Sequence, residues 1–113
     1  MISESQIHFA STAFNCLQRK GSSFFQEFIK INFDKISELE VQIASDESSF
    51  RGYSLERKRM MINTFAVGML YISTLSEEDK SCIGQASQKQ LMLEKKGLRV
   101  QFIFSAAACA PQV

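Results

Sequence analysis

Proline distribution is the feature that most constrains how this chain folds. The 113 residues contain one proline, Pro111, close to the end of the sequence. A proline ring removes a backbone donor and clashes with the preceding helical turn, so helices break at proline. No proline occurs in residues 1–110, and long helices are therefore permitted along almost the whole chain.

Apolar residues repeat along the chain with helical spacing. In the first segment they recur at intervals of three and four residues, on one helix face, at Ile7, Ala10, Phe14 and Leu17. Ser3 and Gln6 form a capping-box pattern ahead of this face, and Gly21 is expected to end the helix. The segment predicts an amphipathic first helix.

Similar patterns predict the later elements. We expect a second helix after Gly21, a short segment opened by a Ser37–Glu40 capping box, and a polar loop over residues 44–53. A long helix from about Ser54 follows, with a predicted buried stripe of Met61, Phe65, Met69 and Ile72. A Thr74–Glu77 capping box starts the next helix, and Gly97 ends it.

The last segment fits two structures. Leu98, Val100, Phe102 and Phe104 alternate as in a strand, whereas the alanines at 106–108 favour a helix. We predict an all-α protein of five to six helices that forms a single domain over residues 1–113, since two separate cores in this length would be marginal.

Charge and cysteine content argue against several functional classes. The net charge is +1, which argues against nucleic acid or an anionic membrane as the main partner. The longest central apolar run, residues 65–72, is too short to span a bilayer. Cys16, Cys82 and Cys109 are odd in number and lack zinc-site spacing, so we expect no disulfide framework, no metal site and a cytoplasmic location.

Catalytic constellations are equally hard to find in the sequence. His8 is the only histidine, so a serine or cysteine nucleophile has no second imidazole to activate it. The acidic run 77–79 is explained by its place at a helix N-terminus, and there is no glycine-rich phosphate loop. We therefore predict that the chain is not an enzyme.

The order of motifs resembles that of bacterial globins of the flavohaemoglobin type. The segments that carry the resemblance are Ser3-Glu4-Ser5-Gln6-Ile7, Phe24-Phe25-Gln26-Glu27-Phe28, Phe33, Ser37-Glu38-Leu39, Met60-Met61-Ile62-Asn63-Thr64-Phe65, Ala86-Ser87-Gln88-Lys89-Gln90 and Gly97-Leu98-Arg99. The resemblance covers roughly residues 3–104 and implies a globin-like helical fold.

The positions that would hold haem in such a fold depart from the globin pattern. The proximal histidine position falls on Gln90 or Leu93, and the distal positions fall on Ile29, Ile43 and Arg57 or Lys58. Ile62 and Phe65 would line the remaining cavity together with these isoleucines. Because an amide oxygen is a poor ligand for haem iron, we expect no haem cofactor, with Cys82 or Met92 as alternative ligands if haem does bind.

The chain also ends before the last globin helices would be complete. The resemblance then implies that the first helix and the last segment lack their usual cover. We expect protein binding or self-association there, as a homodimer through Ile7, Phe14, Leu17, Phe102 and Ile103.

Three functional hypotheses remain open at this point. The first is a haem-free sensor or regulatory module that binds a protein or a small apolar ligand. The second is an oxygen-carrying or oxygen-sensing globin with an unusual iron ligand. The third is a small helical inhibitor or immunity-type protein whose globin resemblance is coincidental.

Overall fold

A computed structural model describes residues 2–95, and every element in that range is helical. The helices are α1 (Glu4–Arg19), α2 (Ser22–Ile31), α3 (Phe33–Ala44), a 3₁₀ turn at Glu47–Phe50, α4 (Leu55–Ser73) and α5 (Glu77–Lys95). The prediction of an all-α fold is confirmed for this part of the chain. The ambiguous segment 98–108 and the stop at Gly97 lie outside the described residues.

The start of α1 follows the sequence signals closely. The Ser3 hydroxyl accepts the Gln6 N–H at 3.1 Å, and the Gln6 side chain accepts the Ser3 N–H at 2.9 Å, which completes the predicted capping box. Gly21 separates α1 from α2 with a φ of 110°, a left-handed value that favours glycine. Both ends of α1 are therefore set by local chemistry.

Helix α1 lies at the centre of the fold. It packs mainly against α4 and next against α5, while α3 packs on α4 and the short α2 contacts α1 and α3. The buried residues of α1 are Ala10, Thr12, Ala13, Cys16 and Leu17. Its predicted apolar face is confirmed, with Ala10 and Leu17 fully buried and Ile7 and Phe14 half-buried.

Helices α1 and α4 meet at unusually small residues. A Cβ atom added to Gly68 would overlap the backbone carbonyl oxygen of Ala10. Only glycine at this position lets the two backbones approach so closely. The neighbours Ala66 and Val67 are also fully buried, so this crossing fixes which face of α4 turns inward.

The buried stripe predicted for α4 is therefore wrong in its details. Met69 is exposed, and Met61, Phe65 and Ile72 are only half-buried. The residues that α4 buries are Ile62, Ala66, Val67, Gly68 and Tyr71. Close approach of α1 places the small residues Ala66 and Gly68 at the crossing, and Met69 lies outside the buried face.

Two predicted helix starts are also corrected. Ser37 lies inside α3, which begins at Phe33, so Ser37–Glu40 is not a capping box. At α5 the Ser76 hydroxyl accepts the Asp79 N–H, whereas the Thr74 hydroxyl donates to the Tyr71 carbonyl. The predicted cap at Ser54 is confirmed, since its hydroxyl accepts the Arg57 N–H. Among the described helices, none is both long and apolar enough to cross a membrane.

Candidate functional site

The expected distal haem-pocket positions lie in or beside the core. Ile43 of α3 and Ile62 of α4 are buried, and Ile29 and Phe65 pack against the same cluster. Arg57 and Lys58 lie on the outer side of the first turn of α4, where the Arg57 guanidinium carbon is 4.4 Å from the centroid of the Tyr53 ring.

The expected proximal positions lie elsewhere, on α5. This helix buries Ile83, Ser87 and Leu91 and packs mainly against α1, not against α3. Gln90 and Leu93 are half-buried, and Leu93 lines a shallow depression whose described lining residues all belong to α5. Ile62 lines a different groove, between α3 and α4. In the part of the chain that the structure describes, Leu93 and Ile62 thus line two different depressions.

Of the two alternative haem ligands, Met92 lines the same depression on α5 as Leu93. Met92 is exposed on α5. Cys82 is disulfide-bonded, which runs against the expectation of no disulfide framework. A sulfur in a disulfide has no thiolate to offer to iron. Among the described residues, no cluster of histidine, cysteine and carboxylate side chains has the arrangement of a metal site.

The residues expected at an oligomer interface through α1 are already used within the chain. Leu17 is fully buried, and the Phe14 ring packs edge-on against Phe25 with 5.5 Å between centroids. Ile7 is half-buried, whereas Phe102 and Ile103 lie outside the described residues. A core position such as Leu17 has no surface to offer a partner, whereas Ile7 and Phe14 keep part of their side chains exposed.

An open groove between α3 and α4 is the largest concave feature we describe, with a volume of about 620 Å³. Val41, Ala44 and Ile62 supply its apolar lining, and Val41 is 72% exposed. Polar groups stand beside them, namely Ser37, Glu40, Arg59 and Asn63. An apolar floor with a few polar groups is the usual composition of a binding site.

Opposite charges mark the two sides of this groove. Glu40 comes from α3 and accepts a long hydrogen bond of 3.4 Å from the Asn63 side-chain amide of α4. Arg59 comes from α4. A ligand in the groove would therefore meet one carboxylate, one guanidinium and an apolar floor, which suits an amphipathic ligand more than a purely apolar one.

A smaller apolar cavity of about 200 Å³ lies between α1 and α4. It is lined by Phe9, Met69 and Ile72, with Ser5 and Gln6 at its edge. This volume is below the range of about 300–1,000 Å³ that is usual for small-molecule sites. The groove between α3 and α4 is therefore the better candidate site.

The core also contains two titratable groups. Burial raises the pKa of the Cys16 thiol to about 11, despite the nearby positive charge of Arg19. Burial likewise raises the pKa of Tyr71 to about 12, with Cys16 and Asp79 adding to the shift. Because reactive cysteines need a thiolate, Cys16 is chemically inert in this environment. His8 is half-buried in α1, and its carbonyl accepts a hydrogen bond from the Thr12 hydroxyl.

Most residues that line the groove cannot be identified from the sequence patterns. The sequence patterns point to Ile62, but not to Val41, Arg59 or Asn63, as residues that line a site. The roles of these three residues depend on the crossing of α3 over α4, which no local pattern encodes. The sequence feature that could have indicated the groove is Val41, a β-branched apolar residue between the polar residues Glu40 and Gln42.

Comparison of the chain with protein-family models, with curated proteins and with solved structures finds no match. The globin resemblance therefore rests on the sequence motifs alone.

Proposed function

We propose that this chain is a haem-free helical binding module that receives an amphipathic helix of another protein in the groove between α3 and α4. The observation that carries the proposal is the exposure of Val41 in a groove whose floor is apolar and whose sides carry opposite charges. A concave apolar surface with a few polar groups at its edge is the usual composition of a binding site.

The shape of the groove favours a helix as the ligand. Ser37, Val41 and Ala44 recur along one face of α3 and define an edge about 10 Å long at 1.5 Å per residue. A third helix can lay an apolar stripe into the groove between two packed helices, with anchors spaced three to four residues apart. An acidic residue on that helix would face Arg59, and a basic one would face Glu40.

The chain would act by binding another protein, without a chemical step. An enzyme would need a nucleophile or an acid–base pair near the groove, and the polar groups described there are one hydroxyl, one carboxylate, one guanidinium and one amide. Binding through these groups is common to a regulatory module and to an inhibitor-type protein.

The experiment is a selection of displayed helical peptides against the wild-type protein, followed by affinity measurements on variants. Selected peptides should share an apolar stripe with helical spacing and an acidic residue. They should bind Val41→Asp at least about tenfold more weakly, since a buried charge in an interface centre costs more than 1.4 kcal/mol. Ile31→Asp is the matched control, because Ile31 has the same 72% exposure and lies on α2.

A charge exchange makes the test specific to Arg59. Arg59→Glu should weaken the selected peptides, and a peptide whose acidic residue is replaced by lysine should regain affinity for that variant. Peptides that bind Val41→Asp as well as wild type would contradict the proposal. A haem titration that gives a stable haem spectrum would instead favour the globin hypothesis.

A further inference from the structure

The outer side of α2 exposes large apolar side chains outside the groove. Phe24 and Ile31 lie seven residues apart on one side of the helix, and Phe33 follows at the start of α3. Their exposed fractions are 42%, 72% and 62%. We call these three residues the α2 face.

Contacts on the inner side of α2 fix the orientation of the α2 face. On the inner side of α2, the Phe25 ring packs edge-on against Phe14, and the Phe28 ring packs edge-on against Tyr71 with 5.7 Å between centroids. These contacts hold the inner side of α2 against the core. The α2 face therefore cannot turn inward without breaking them.

Charges of both signs occur in the sequence around the α2 face. Lys20, Lys30 and Lys35 are positive, and Glu27 and Asp34 are negative. The Lys20 ammonium lies 4.8 Å from the centroid of the Phe24 ring. A strongly acidic or basic partner would match only some of these groups. A second copy related by a two-fold axis can match both signs, because a positive group of one copy can meet a negative group of the other across the axis.

We propose that a second copy of this chain docks on the α2 face. The two α2 helices pack about a two-fold axis, and Glu27 of one copy faces Lys30 of the partner subunit. The apolar side chains form the centre of the interface, and the charges form its rim. With a net charge of +1 per chain, the two copies scarcely repel each other. This inference concerns a different surface from the groove and does not rest on the proposed function.

Sedimentation equilibrium measures the dimer directly. Wild-type protein should be dimeric at about 100 µM, a concentration above the micromolar Kd of a weak specific complex. Ile31→Asp should raise the dimer Kd tenfold or more, because central apolar residues dominate interface energetics. Val41→Asp, with the same exposure but in the groove, should leave the Kd unchanged. A wild-type monomer at that concentration would overturn the proposal.

A charge exchange tests the predicted pair. Glu27→Lys and Lys30→Glu should each weaken self-association, because each places like charges opposite one another. A mixture of the two variants should dimerise again, since one chain then carries lysine at both positions, the other carries glutamate at both, and each contact joins opposite charges. Both positions are exposed, and circular dichroism should show an unchanged helix content. This interface would be refuted if the mixture failed to dimerise. It would also be refuted if Ile31→Asp left the dimer intact and removal of residues 96–113 abolished it.

Discussion

At the scale of single residues, the hydroxyl of Tyr71 stands out. The residue is 2% exposed, and its hydroxyl has no hydrogen-bond partner among the described protein atoms. A buried hydroxyl without a partner costs roughly 1–3 kcal/mol of folding free energy. The ring itself is well placed, since it packs edge-on with Phe28.

We therefore predict that Tyr71→Phe raises the free energy of unfolding by about 1 kcal/mol, because it keeps the ring contacts and removes the unpaired group. Urea unfolding followed by circular dichroism should show a higher midpoint at an unchanged slope. Tyr53→Phe is the control, since Tyr53 is exposed and should change the midpoint little. A loss of about 1 kcal/mol or more in Tyr71→Phe would mean that the hydroxyl is hydrogen-bonded in solution.

At the scale of elements, the contact between α1 and α4 at Gly68 organises the fold. Gly68→Ala would force the helices apart, because the added methyl group meets backbone atoms of Ala10 that cannot rotate away. Overpacking of this kind costs about 1–3 kcal/mol, and a rigid backbone obstacle puts this site at the upper end. Thermal or urea unfolding measures the loss.

Gly84→Ala is the matched control for this prediction. A Cβ atom at Gly84 lies 3.4 Å from Cε2 of Phe9, an ordinary contact with a side chain. Alanine is favoured over glycine in a helix interior by about 1 kcal/mol, so this variant should be as stable as wild type or more stable. Equal losses in the two variants would show that α1 and α4 do not approach as closely as described.

Helices α1 and α4 differ in how well their buried faces can be predicted from the sequence. Helix α1 is predictable because a capping box, a periodic apolar face and a terminal glycine all agree there. The stripe predicted for α4 is misplaced because it follows the large apolar side chains. The crossing instead selects the small residues Ala66 and Gly68, and small residues give little periodic signal. The groove depends on how α3 crosses α4, and that geometry belongs to tertiary packing.

At the scale of the whole molecule, one carboxylate connects distant parts of the chain. Asp46 follows α3 and accepts hydrogen bonds of 2.8 Å from the Ser48 and Ser49 hydroxyls. The Ile2 N–H donates to Asp46 Oδ2 and Ser49 Oγ, at 3.1 Å each, which attaches the residues before α1 to the loop after α3. These hydroxyls, followed by the positive amino terminus and the Ile2 N–H, lower the pKa of Asp46 below its usual 3.8.

This shift predicts the direction of an acid effect on stability. A carboxyl group whose pKa is lower in the folded state stabilises the fold above its unfolded pKa, and that stabilisation is lost as the pH falls through the folded value. Wild type should therefore melt at a higher temperature than Asp46→Asn at about pH 6, and the difference should disappear as the pH falls below the usual pKa of 3.8 and through the lower folded value. Thermal unfolding followed by circular dichroism between about pH 2 and pH 7 tests this. Glu38→Gln removes a carboxylate within α3 and should not reproduce the effect. A difference between wild type and Asp46→Asn that stays constant over the whole range would show that Asp46 acts through its shape and not through its charge.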